Sequence, residues 1–247
     1  MQWVNCVIPS RNQPAAVDLL GEARRSLLTA LKRAGRATIP WLAQTLSITT
    51  EAVRQQLAQL QRDGWVISDC GPEEEAEARE RGRPPTEYCL SRSADDLFPK
   101  RYADLLVSVL DSVTSKDGNE SLIELLARVT DERVAELKPR VESLPLNRTM
   151  DALRSIYVEA DPFTEVERRG RDFVLVERNC PYLSVAMERP EICSTTVNTL
   201  RRLTGCEVVR ERRFQDGDGR CEFHVRTSRR SPAAKRRRFE LEPPKTS

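Results

Sequence analysis

From Asp18 to Ala34 apolar residues return every three or four positions, at Leu19, Leu20, Ala23, Leu27, Leu28 and Leu31. That period belongs to a helix with one buried face, and Gly35 is placed to end it. A shorter helix is predicted in IPWLAQTLS, where Pro40 falls in the first turn and sacrifices no hydrogen bond. A third runs through ITTEAVRQQLAQLQRDG. Thr49 has the side chain of an N-cap, Ile48 and Val53 occupy staple positions, and Gly64 marks the end. Val53, Leu57 and Leu60 form the buried stripe, which turns Thr50, Glu51, Arg54 and Gln55 elsewhere. WVIS and TEYCLS then read as two short strands joined by a long polar loop.

Two more amphipathic helices are predicted between residues 101 and 141. The first uses Leu105, Leu106, Val109, Leu110 and Val113; the second uses Leu122, Leu125, Leu126, Val129, Val134 and Leu137, with SKDGNES between them. Such faces must be buried, either against the chain itself or against a second copy. After Leu144 a helix around MDALRSIYVEA leads into two β-rich runs, FTEVERR and DFVLVER, that turn at Gly170. A helical stretch broken at Pro190 follows, then a strand in EVVRERRF, a DGDG turn and a strand in CEFHVRT.

The pattern predicts an α+β protein in five parts. Residues 1–17 form a flexible arm, 18–97 a winged helix-turn-helix, and 98–142 a helical connector suited to dimerisation. Residues 143–228 form a small α+β module, and 229–247 a disordered basic tail. With 32% charged and 5% aromatic residues, the 247-residue chain is expected to be soluble and cytoplasmic, with no membrane partner. Its N-terminus lacks the build of a secretory signal, and seven cysteines is an odd number, so disulfides are not the expected use of the thiols.

The net charge of +2 says little, but its distribution says more. Arg54 and Gln55 are residue types that read base edges, since Arg pairs with guanine and Gln with adenine. Thr50 and Glu51, at the start of the same helix, are placed to meet phosphate and cytosine respectively. In RERGRPPTEY, Arg81 and Arg83 flank a glycine in an extended loop that suits a minor groove, although Arg79, Arg81 and Arg83 are also explained by solvation opposite Glu73, Glu74, Glu75 and Glu77. Double-stranded DNA is therefore the expected partner. The tail residues Arg229, Arg230, Lys235, Arg236, Arg237 and Arg238 would add salt-dependent affinity or simple solubility.

Four cysteines stand at wide intervals: Cys180, Cys193, Cys206 and Cys221. Zinc loops and compact ferredoxin runs place cysteines two to four residues apart, so here each ligand would come from its own structural element. Cys180 is read as a helix N-cap, Cys193 as early in the restarted helix, Cys206 as just past its Gly205 stop, and Cys221 as the start of a strand. Thiols at helix N-termini are expected to have lowered pKa values. An iron–sulfur cluster, zinc and unligated buried thiols all remain open on chemistry alone. His224, the only histidine, would share a strand with Cys221 and could turn to its side, though an ordinary strand residue is the simpler reading. No phosphate loop, nucleophile motif or carboxylate pair suggests an enzyme.

The GRPPTEYCLS wing together with NCPYLSVAMERPEIC and GDGRCEF resembles SufR, the iron–sulfur-sensing repressor of the suf operon, in its cyanobacterial form. The resemblance extends from about Asp18 to Val225. It implies a homodimer with one [4Fe-4S] cluster per subunit, which binds operator DNA tightly with cluster bound and releases the cluster-assembly genes without it. Matched residue by residue, it implies Cys180, Cys193 and Cys221 as ligands, with Cys206 completing the four-cysteine pattern. The alternative is a winged-helix regulator with structural zinc and another effector.

Overall fold

The computed structural model describes residues 15–68, 85–229 and 238–243. The chain is α+β and divides into two compact units between Lys100 and Arg101. The connector anticipated at 98–142 therefore belongs almost wholly to the second unit.

In the first unit, helix α1 spans Glu22–Ala34, α2 Ile39–Leu46 and α3 Thr50–Arg62. Strands β1 (Arg36–Thr38), β2 (Val66–Ser68) and β3 (Glu87–Leu90) form an antiparallel sheet in the order β1-β3-β2. The helix ends follow local chemistry. Gly35, at φ +75°, closes α1, and the Thr38 and Thr49 hydroxyls accept from the Trp41 and Ala52 amides to cap α2 and α3. Leu27, Leu28, Leu31, Leu42, Val53 and Leu57 fill the core.

Two expectations fail here. The first helix does not start at Asp18: Ala16–Leu19 is a 3₁₀ turn, α1 begins after Gly21, and Leu19 is 75% exposed. The arm does not extend to residue 17 either, because Val17 is buried in the core. Residues 1–14 of that arm, the loop at 69–84 and the basic run at 230–237 lie outside the described residues.

The second unit is built on an antiparallel sheet in the order β4-β5-β7-β6. Its strands are β4 (Glu165–Arg169), β5 (Asp172–Glu177), β6 (Glu207–Arg212) and β7 (Cys221–Arg226). Helices α5 (Leu146–Tyr157) and α7 (Ser194–Thr204) cover one face, where Leu153, Leu175, Leu200, Val208, Phe223 and Val225 are buried together. Period-2 alternation then assigns the strand faces. Leu175 and Glu177 of β5 lie on the covered side with Cys221, Phe223 and Val225 of β7.

Helix α4, Tyr102–Val141, bends where Gly118 leaves helical geometry at φ +76°, inside the predicted SKDGNES break. It packs on α5, on α7 and on the short helix α6 (Leu183–Glu188). Leu122, Leu126, Leu137 and Val141 are buried within this one chain. Its first half also keeps an outward stripe, with Tyr102 71%, Leu105 65%, Leu106 42% and Val109 45% exposed.

The tail is not disordered throughout. Residues 238–243 lie against α7: Phe239 is buried with Leu110, Leu122 and Val185, and Asn198 exchanges hydrogen bonds with the Glu240 backbone. No sequence period predicts this docking, which rests on one aromatic and on contacts of Glu240 and Glu242.

Candidate metal centre

The wide cysteine spacing resolves into a cavity of about 60 Å³ in the second unit. Cys180, Cys193 and Cys221 all line it, each from a different segment. Cys180 lies in the turn after β5, Cys193 ends the 3₁₀ turn Pro190–Cys193 and N-caps α7, and Cys221 begins β7. The walls are completed by Glu177, Arg210, Arg133, Tyr157 and Tyr182, among others. That volume holds several water-sized atoms.

Local structure fixes each thiol. The chain entering Cys180 is held by the buried carboxylate of Asp161, whose Oδ2 accepts from the amides of Arg178 at 2.7 Å and Asn179 at 3.0 Å. Its Oδ1 accepts from the Phe163 amide at 2.9 Å. Gln215 donates through Nε2 to Cys193 Sγ at 3.2 Å and to the Ala186 carbonyl at 3.0 Å. Arg210 Nη1 approaches Cys221 Sγ at 3.8 Å, while its Nη2 lies 2.8 Å from Glu242 of the docked tail. The first turn of α7 also presents its positive end here, which favours anionic sulfur.

Cys206 is not brought to this cavity. It follows Gly205, the left-handed cap of α7 as expected, but its side chain is fully buried in the apolar core beside Val208, with Sγ 3.8 Å from the Thr204 carbonyl. His224 is excluded from the cavity by parity: three residues after Cys221, it projects from the opposite sheet face. There its Nε2 lies 3.3 Å from Glu211 and 3.6 Å from Glu222.

The expected lowering of thiol pKa is also reversed. Burial pushes Cys180 up to about 12, and burial likewise raises Cys221 despite the adjacent Arg210. Nor is Cys180 a helix N-cap; that position belongs to Tyr182. In a low-dielectric pocket the desolvation of the Cys180 thiolate outweighs the hydrogen bond it receives from the Tyr182 amide. Burial also lifts Glu177, which ends β5, to about 7. Sequence reasoning overlooked this residue, because a Glu ending a strand reads as exposed.

The donor set suits a sulfur-liking metal group, since three thiols face one space with cationic and amide donors behind them. Among the described residues, no three His, Cys, Asp or Glu side chains are grouped closely enough to hold one metal ion. A four-iron cluster presents a separate iron to each ligand, which matches donors delivered by separate elements.

On the first unit, Thr50, Glu51, Arg54 and Gln55 are all exposed on α3, and Arg54 pairs with Glu51 at 3.3 Å. Arg81 and Arg83 lie outside the described residues. Cys89, on β3, is disulfide-bonded, contrary to the expectation of reduced thiols throughout.

Compared with known proteins, the chain matches no family model, no curated protein and no solved structure. Among the described residues no helix is long and apolar enough to cross a membrane.

Proposed function

We propose that the chain is a DNA-binding transcriptional repressor that senses iron–sulfur cluster status, of the kind that controls suf assembly genes. The observation that carries this reading is that Cys180, Cys193 and Cys221 line one cavity, in a unit separate from one that can present a recognition helix. Cys180, Cys193 and Cys221 would hold a [4Fe-4S] cluster, which supplies the oxidation- and supply-sensitive chemistry when bound. The chain's own residues hold the thiols in place, through Asp161 and Gln215, and set the charge of the pocket through Arg210.

Three helices closed by a small sheet support a winged helix-turn-helix reading of the first unit. Helix α3 would enter the major groove, with Arg54 and Gln55 reaching base edges and Thr50 and Glu51 at its entry. The outward stripe of α4 would meet a second copy, giving a homodimer that spans two half-sites of operator DNA. The cluster would tie the β5 end, the α7 start and the β7 start into one block. Its loss would loosen the block against which α4 packs and so weaken the dimer's hold on two half-sites.

The test is operator binding by cluster-loaded and cluster-free protein at one salt concentration. The loaded form should bind roughly 5–150-fold more tightly, the usual range of coupling between sites. Equal affinity would overturn the sensing role.

A further inference from the structure

We propose that Glu177, rather than Cys206, supplies the fourth ligand to the cluster held by Cys180, Cys193 and Cys221. The inference rests on the iron–sulfur reading of the cavity and deepens it.

Glu177 is the last residue of β5 and pairs directly with Cys221 of β7 in the ladder. Residues opposed across a ladder share a sheet face. Its side chain therefore leaves the sheet on the same side as the Cys221 thiol, and both line the cavity. Glu177 is only 8% exposed. A carboxylate so buried normally has a cation or several donors. Here no hydrogen bond or ion pair among the described residues reaches it. Arg133 and Arg210 lie near enough to favour its charge, but their hydrogen bonds and ion pairs go to other groups: Arg210 pairs with Glu242, and Arg133 Nη1 donates to the Tyr182 hydroxyl at 3.3 Å. A buried carboxyl that lines the same cavity as three thiols is placed to serve as a ligand. Cys206, by contrast, is packed among core side chains and contributes nothing to the cavity wall.

The assignment has a consequence for sensing. A carboxylate oxygen is a harder donor than a thiolate and holds iron in a sulfide cluster less firmly. The Glu177 corner would be the first to open when iron is scarce. Each thiol releases one proton to solvent as it takes iron, and the carboxylate binds as the anion, so the loaded site is net negative. Arg210 and Arg133 stand in its walls to offset that charge.

The experiment is anaerobic reconstitution with Mössbauer-active iron and sulfide, applied to wild type and to the Glu177→Ala, Glu177→Gln, Glu177→Cys, Tyr157→Phe and Cys206→Ala variants. Circular dichroism reports folding. Wild type should show one iron unlike the other three. That distinct iron should be lost in Glu177→Ala and Glu177→Gln, become sulfur-like in Glu177→Cys, and persist unchanged in Cys206→Ala and Tyr157→Phe. Four equivalent irons in wild type, or a distinct iron that survives Glu177→Gln, would overturn the assignment while leaving the cluster reading intact. A change in that iron caused by Cys206→Ala or Tyr157→Phe would do the same. Wild type that takes up no iron and sulfide would instead overturn the reading beneath it.

Discussion

Arg210 and Glu242 form a buried ion pair, 2.8 Å from Nη2 to Oε2, with side chains 2% and 10% exposed. Arg210 belongs to β6 and Glu242 to the docked tail, so the pair fastens the chain's last described segment to the wall of the thiol cavity. Removing one member leaves the other charge buried and alone, which costs about 3–5 kcal/mol. Glu242→Ala should lower unfolding stability by about that amount in denaturant titration, and truncation after Arg237 should lower it further by also removing Phe239. An unchanged midpoint in both proteins would show that the tail does not dock.

Asp161 positions the thiol without touching it. Its carboxylate accepts three backbone amides, two of them just before Cys180. Asp161→Ala would strand these donors and should destabilise the unit by roughly 2–4 kcal/mol. Iron uptake on reconstitution should fall with it, while Asp161→Asn, which keeps one acceptor oxygen, should recover part of both.

A pH dependence follows from Asp172, whose pKa is lowered by its hydrogen bonds from the Thr227 amide and hydroxyl. A depressed carboxylate stabilises the fold above its unfolded pKa, and that stability is lost as pH falls through the folded value. Asp172→Asn should therefore be less stable than wild type at neutral pH, with a shallower acid limb that converges on wild type as pH falls through the folded value. An identical acid limb in both proteins would contradict this.

Helix α3 should carry sequence recognition. Arg54→Ala and Gln55→Ala should each weaken operator binding by about 1–3 kcal/mol. Binding to random DNA should change much less, which distinguishes base reading from general charge. The partner measurement concerns α4: Leu105→Asp or Val109→Asp should shift the assembly from dimer to monomer in light scattering while leaving helicity unchanged.

Much of this architecture was legible in the pattern. Val53, Leu57 and Leu60 fell at helical period and are buried, and Thr49 and Gly35 end their helices as predicted. The strand β1 was not legible: three residues, Arg36 to Thr38, carry no alternation, and pairing with β3 makes them a strand. Cys180, Cys193 and Cys221 come from separate elements and line one cavity. Cys206 does not line it, and position beside a helix cap says nothing about which side the thiol takes. Glu177 became visible only through the β5–β7 register, a long-range fact that local pattern does not contain. His224 shows the reverse case, since counting three residues from Cys221 along a strand already puts it on the other face.

The central claim is that the three-thiol cavity holds an iron–sulfur cluster. It is tested most directly by iron, sulfide and zinc content of anaerobically purified wild type beside Cys180→Ser, Cys193→Ser and Cys221→Ser. Coloured wild type with iron and sulfide in equal amounts, lost in each serine variant, is the predicted result. Colourless wild type, whether holding zinc or no metal at all, would contradict it.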